Sequence, residues 1–226
     1  MKIRAGLALF LSVTLLLAGL AAAAEAPRAI LALGDTGFIS ADAAPGAEIL
    51  SDLGSRTLQE ISVVVLANIA YGNLPAPVGQ ELERYVTGGG TLLLTGGSHA
   101  FGSGGYQAVS SLIPFLIRGG GDWRATPFKP PIAIQPGHPT LAGVTFLSVG
   151  NLNDTNPRPG ATEILRASGG QGSFPSPLIA ELGSGTGRVI GVTFDLNEFS
   201  GMRDRDLFVR NTLTYLLGAS RIASPR

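Results

Sequence analysis

The chain has 226 residues, of which 45% are hydrophobic and 14% are charged, and its formal net charge at pH 7 is +0. This balance, without a basic cluster, excludes the electrostatic footprint of a nucleic-acid-binding protein and gives no reason to expect an anionic membrane surface as a partner. The absence of cysteine excludes disulfides, thiolate metal sites, a cysteine nucleophile and a lipidated N-terminal cysteine.

Residues 1–24 have the layout of a secretory signal peptide. Lys2 and Arg4 precede an apolar run from Ala5 to Leu20, and alanines follow. The pattern predicts cleavage after Ala24, export to the periplasm or the extracellular space, and no membrane association after cleavage. The alternative is an uncleaved membrane anchor, because about 20 apolar residues can span a bilayer.

One domain is expected over residues 25–220, followed by a polar tail over 221–226. The predicted strands of its first half are Ala29–Leu33, Ile61–Ala67 and Thr91–Thr95. Proline at a helix start and grouped apolar residues predict a first helix over Pro45–Leu58. A second helix is expected from Pro77 to Gly88, because its apolar residues recur at i, i+4, i+7 and i+8; they are Val78, Leu82, Tyr85 and Val86.

Residues 96–131 are predicted to be irregular, with a short helix or strand within Ser110–Ile117 and with Trp123 as the apolar anchor of a lid over the sheet. The predicted strands that follow are Thr162–Arg166, Leu178–Leu182 and Arg188–Phe194. A five-residue glycine-rich loop joins the last two and predicts an antiparallel hairpin, so the sheet should be mixed. A final helix is expected over Asp204–Leu217, with Gly218 as its C-terminal cap.

The sequence resembles the glutamine amidotransferase-like family of the class I glutamine amidotransferase-like superfamily. The blocks that carry the resemblance are Leu82–Tyr106, Gly137–Pro139 with Leu141–Gly143, Arg158–Ala161, Pro177–Ile179 with Gly187–Val189 and Phe194–Asp195, and Asn211–Leu217. The resemblance implies an α/β fold: a flavodoxin-like three-layer sandwich with a mixed, mainly parallel sheet and a C-terminal antiparallel hairpin. Family members with amidotransferase activity carry a cysteine on the turn that follows Thr91–Thr95. Here that turn is Gly96-Gly97-Ser98-His99, so thiolate attack on glutamine cannot occur.

Polar residues follow four of the predicted strands, namely Asp35, Asn68, Ser98 and Asp195. If these strands are parallel, the four side chains meet at one edge of the sheet and suit a small polar ligand such as a sugar or a carboxylate. The predicted ligand-binding residues are Asp35, Asn68, Gly97, Ser98, His99, Gly104, Gly105, Tyr106 and Asp195. The competing interpretation is that they are ordinary turn and cap residues, with the glycines allowing a tight loop that Phe101 and Tyr106 attach to the core.

Ser98 lies in a Gly-x-Ser-x-Ala turn after an apolar strand, and Asp122 and His138 follow in the order of a Ser–Asp–His triad. Such serines are common turn residues, and His138 before Pro139 also suits a loop held by hydrogen bonds. No His, Asp or Glu cluster has metal-ligand spacing, and the glycine loop lacks the lysine of a phosphate loop, so neither a metal nor a cofactor is expected.

The sequence therefore favours an exported, non-catalytic amidotransferase-like domain that serves as a binding or scaffold module of the cell envelope. Its partner would be a small polar ligand or an envelope protein. The alternative is a hydrolase that acts on a small amide or ester through Ser98 and His138.

Overall fold

A computed structural model describes residues 28–118, 123–125, 130–144, 149–168, 176–198 and 204–220. Its strands are β1 (Arg28–Gly34), β2 (Ala47–Leu50), β3 (Val63–Ala67), β4 (Thr91–Thr95), β5 (Phe115–Ile117), β6 (Trp123–Ala125), β7 (Ile132–Ala133), β8 (Asn151–Asn153), β9 (Thr155–Pro157), β10 (Thr162–Arg166), β11 (Pro177–Ser184) and β12 (Gly187–Val192). The α-helices are α1 (Ala76–Thr87) and α2 (Arg205–Ala219). The predicted signal peptide and the tail over 221–226 lie outside the described residues.

An eight-stranded mixed sheet in the order β2-β1-β3-β4-β12-β11-β10-β7 forms the centre of the fold. The five strands from β2 to β12 run parallel, whereas β11, β10 and β7 add antiparallel pairs. The predicted hairpin is present as β11 and β12. Two further two-stranded sheets pair β5 with β9 and β6 with β8.

The central strands β3, β4 and β12 are buried on both faces because they are apolar at consecutive positions. Helix α1 packs against one face of the sheet through Leu82, Tyr85 and Val86, which share a hydrophobic core with Val64 and Leu66 of β3. The residues of α2 that cover the other face are Phe208, Val209, Leu213 and Leu216. Within the described part of the chain, no helix is long and apolar enough to cross a membrane.

The expectation of a flavodoxin-like three-layer sandwich is wrong. Between residues 28 and 220, the described ranges hold two α-helices, one on each face, so complete helical layers are missing. The predicted helix over Pro45–Leu58 is replaced by β2 and by loops in which Gly46 (φ +77°) and Gly54 (φ +54°) have left-handed backbone angles. A left-handed residue interrupts a right-handed helix, so the β1–β2 and β2–β3 connections carry only short 3-10 turns.

Smaller differences concern the loops and helix ends. Ser110–Ile117 contains both of the predicted alternatives, the end of a 3-10 helix and strand β5. Trp123 lies in β6 and is half-buried, and residues 119–122 and 126–129 on either side of it lie outside the described residues, so its role as the anchor of a lid stays a prediction. Helix α2 continues past Gly218 and ends at Ala219.

Candidate functional site at the carboxyl edge of the parallel strands

Four adjacent parallel strands end in register at one edge of the sheet. The last paired residues form a row across it, Gly34, Ala67, Thr95 and Val192. Asp35 and Asn68 therefore follow neighbouring strands directly, and the backbone N–H of Asp35 donates to the carbonyl oxygen of Ala67 over 2.8 Å. In open α/β sheets, this carboxyl edge is where ligand crevices form.

The turn after β4 is held on both sides by asparagine side chains. The amide N–H of Gly97 donates to Oδ1 of Asn153 over 3.0 Å, and Nδ2 of Asn153 donates back to the carbonyl oxygen of Gly97 over 3.1 Å. The N–H of His99 donates to Oδ1 of Asn68 over 3.0 Å. Asn153 is fully buried, so its two bonds to Gly97 are shielded from water, whereas the bond between His99 and Asn68 is exposed. Together the three bonds hold the turn in one position.

Among the described residues other than glycine, Asn68 is the one with a positive φ, +46°. Asparagine tolerates this conformation better than most residues because its short side chain forms local hydrogen bonds. The resulting bend brings its carboxamide against Gly97, where a Cβ would overlap the Asn68 side chain. Glycine at 97 thus permits a close approach of the two loops.

The glycine-rich part of the same loop packs against the chain that follows β3. A Cβ on Gly105 would overlap the carbonyl oxygen of Ile69 and lie 2.5 Å from that of His99. Tyr106 is fully buried, and its hydroxyl lies 2.7 Å from the carbonyl oxygens of both Leu66 and Thr95. Burial raises the pKa of the Tyr106 hydroxyl, which therefore stays protonated as a donor.

Acidic side chains lie at the part of the edge that follows β1 and β12. Asp195 is buried, and one of its oxygens accepts the backbone N–H of Asn197 over 2.8 Å. Nδ2 of Asn197 donates to the carbonyl oxygen of Asp35 over 2.5 Å, so the chain after β12 reaches back to the end of β1. Burial raises the pKa of Asp195; the N–H of Asn197 opposes this, and the charges of Asp35 and Glu198 raise the pKa further.

Replacing Asp195 by asparagine is expected to stabilise the protein at neutral pH and to flatten its pH dependence. The folded protein holds the Asp195 proton more tightly than the unfolded chain, so its contribution to stability is present below the unfolded pKa and lost as pH rises through the folded pKa. Urea unfolding of wild type and Asp195→Asn between pH 4 and pH 8 measures this. The stability advantage of the variant should shrink as pH falls, and an advantage independent of pH would contradict the assignment.

The catalytic alternative is not assembled around Ser98. Ser98 and His99 are exposed at the edge. His138 instead contacts the middle of β11: its Nε2 lies 3.0 Å from Oε2 of Glu181, and its Nδ1 lies 2.9 Å from Oγ1 of Thr140. Both ring nitrogens are thus engaged by partners other than Ser98.

The surroundings of His138 explain this arrangement. Tyr215 packs edge-on against its ring at 4.9 Å and donates its hydroxyl to Glu181, which Arg188 also contacts at 2.7 Å. The predicted triad member Asp122 lies outside the described residues. In the described part of the chain, no group of three His, Asp or Glu side chains is placed to hold a metal ion.

Two residues at the edge were not predicted as site residues from the sequence. Asn153 follows no predicted strand and becomes relevant only because it bonds to Gly97, 56 positions away. Asn197 lies two residues after Asp195, and its position just beyond a strand that ends at the same edge could have indicated it. Asn153 supports the turn from its buried side, whereas Asn197 contributes an amide group near Asp35 and Asp195.

No family model matches the sequence, and no curated protein matches it significantly. Solved structures share the fold. A cytoplasmic protein from Salmonella typhimurium is 17% identical, with a TM-score of 0.60 over 75% of this chain and 80% of that one. A second cytoplasmic protein, from Salmonella typhimurium LT2, is 14% identical, with a TM-score of 0.64 over 84% and 99%. A ThuA-like protein from Bacteroides uniformis is 12% identical, with a TM-score of 0.57 over 88% and 95%.

The two Salmonella structures contradict the prediction of an exported protein, because both are named as cytoplasmic. Export and an envelope partner are therefore not carried further. Apart from those two names, the three structures bear on the fold, because their identities to this chain are below 25%.

Proposed function

We propose that this chain is a non-catalytic, glutamine amidotransferase-like domain that binds a small polyhydroxylated ligand, such as a sugar, at the carboxyl edge of its parallel strands. The observation that carries the proposal is the turn after β4. This turn presents Ser98 and His99 at the edge and is held rigidly by Asn68 and Asn153. The chain contains no thiol that could act as a nucleophile there.

The charge of the edge favours a sugar over a carboxylate ligand. Asn197 bonds to Asp195 and to the backbone of Asp35, and the charges of Asp35 and Glu198 raise the pKa of Asp195, so this edge carries negative charge. An anionic ligand would be repelled there, whereas hydroxyl groups donate to carboxylates and accept from amide N–H groups. Asn68 and Asn197 supply amide groups at the same edge, and together these groups match the alternating donors and acceptors of a polyol.

The rigidity of the edge also supports binding. The buried Asn153 holds Gly97, and Tyr106 attaches the end of the glycine loop to β3 and β4. A site that is already ordered loses little conformational entropy when a ligand arrives, which improves affinity without additional contacts.

Isothermal titration calorimetry with methyl α-D-glucopyranoside, methyl β-D-galactopyranoside, sorbitol and sodium acetate tests the proposal. We expect binding of at least one of the three neutral polyols in the millimolar range or tighter, and none of acetate. The double variant Asp35→Asn with Asp195→Asn should weaken binding about tenfold or more, because charged acceptors form the stronger hydrogen bonds.

The matched control is Glu81→Gln, which removes a carboxylate from the exposed surface of α1 and should leave affinity unchanged. Binding of acetate in preference to every polyol would overturn the ligand class, and absence of binding to all four probes would overturn the site. Labelling of Ser98 by a fluorophosphonate would contradict the non-catalytic part of the proposal.

A further inference from the structure

Tyr71 differs from the other tyrosines of the chain in its exposure. Its side chain is 72% exposed, whereas Tyr85 and Tyr106 are buried and Tyr215 is half-buried. A single exposed aromatic residue needs no explanation by itself. The position of this ring, next to the polar edge, is what gives it significance.

Two features fix the position of Tyr71. The left-handed turn at Asn68 redirects the chain after β3, and Ile69 then anchors it in the core. The Tyr71 ring lies against Gly104, where a Cβ would be 3.1 Å from ring atom Cδ2 and 3.7 Å from Cε2. Gly104 has φ +82°, so a residue with a side chain is disfavoured there both by its backbone conformation and by the ring.

We infer that the exposed ring of Tyr71 is the stacking surface for the apolar face of a pyranose ring, whose hydroxyls bind the polar groups at the carboxyl edge. This inference rests on the proposed function and narrows its ligand from polyols in general to cyclic sugars. Aromatic faces carry negative charge density and attract polarised C–H groups, and tyrosine offers such a face at a low entropic cost.

The location of the ring fits this role. Tyr71 lies three residues after Asn68, whose carboxamide binds the His99 N–H, and its ring contacts the same glycine loop that carries Ser98. A sugar on the ring would therefore place its hydroxyl rim toward the polar groups of the edge. An acyclic polyol has the same hydroxyls but no flat apolar face, so it would gain nothing from the ring.

The experiment compares methyl pyranosides with sorbitol on wild type, Tyr71→Ala and Tyr71→Phe by titration calorimetry. Tyr71→Ala should weaken pyranoside binding about fivefold to tenfold and leave sorbitol binding unchanged, whereas Tyr71→Phe should retain the pyranoside affinity within about twofold. The ring protons of the bound pyranoside should shift upfield in NMR spectra of wild type and not of Tyr71→Ala. Ile132→Ala, at an exposed apolar residue of the edge strand β7, is the matched control and should change neither affinity.

The outcomes separate the two proposals. If a pyranoside binds to wild type and Tyr71→Ala binds it equally well, the stacking role is overturned while the polar site stands. If Tyr71→Ala weakens sorbitol and pyranosides equally, the residue shapes the loop and does not stack, which also overturns the inference. If neither pyranosides nor sorbitol bind to wild type, the proposed function fails and the inference fails with it.

Discussion

Replacing Gly105 by alanine is expected to lower the free energy of unfolding by about 3 kcal/mol and to abolish ligand binding at the edge. The added methyl group would overlap the carbonyl oxygen of Ile69 and lie 2.5 Å from that of His99. Both obstacles are backbone atoms, so no side-chain rotation can relieve the overlap. The loop must move away from the chain after β3, and this movement displaces Ser98 and His99.

Urea unfolding measures the stability of Gly105→Ala, and calorimetry with the pyranoside that binds wild type measures the site. The control is Gly137→Ala, because a Cβ at that position meets no atom within 4 Å and the backbone there is not left-handed. Its stability should stay within about 0.5 kcal/mol of wild type. If Gly105→Ala behaves like Gly137→Ala, the close packing of the glycine loop is refuted.

The place of the candidate site could be predicted from the sequence because strands buried on both faces leave a clear signal. Val63–Ala67 and Thr91–Thr95 contain no polar residue that would break the pattern except at their ends, so the first polar residue after each was easy to identify. Parallel strands deliver those residues to one edge. The parallel pairing places Asp35, Asn68, Ser98 and Asp195 after strands that end at one edge. Their meeting in one site and their role as ligand-binding residues stay predictions.

The remaining parts of the edge depend on contacts between distant positions. The hydrogen bond from Asn197 to Asp35 joins residues 162 positions apart, and no local sequence pattern predicts such a contact. Tyr71 gave no signal either, because an isolated tyrosine in a loop can be buried or exposed equally well. Only the contact of its ring with Gly104 relates it to the site.

The error in the fold class has a local cause. The three-layer expectation rests on a resemblance whose first block begins at Leu82, and the residues before that block have conformational constraints of their own. Gly46 and Gly54 adopt left-handed angles, which exclude the helix predicted across them. A strand, β2, extends the sheet there instead.

Removing the hydroxyl of Tyr106 is expected to cost about 2 kcal/mol of stability and to weaken ligand binding. Its single hydrogen is shared between the carbonyl oxygens of Leu66 and Thr95, each 2.7 Å away. Phenylalanine would keep the ring and its edge-on contact with Phe101, whose centroid lies 5.0 Å away, and would lose only the donor. Two carbonyl oxygens at the ends of β3 and β4 would then face a buried space that offers them no hydrogen.

The same substitution at an exposed tyrosine provides the control for this prediction. Tyr71→Phe removes a hydroxyl from a side chain that is 72% exposed, so water replaces any lost interaction and stability should change by less than about 0.5 kcal/mol. Urea unfolding of both variants measures the difference. Because Tyr106 closes the loop that begins at Gly96, Tyr106→Phe should also weaken the bound pyranoside, whereas Tyr71→Phe retains the stacking ring and should not. Equal stabilities for the two variants would show that the Tyr106 hydroxyl does not hold the glycine loop to the strand ends.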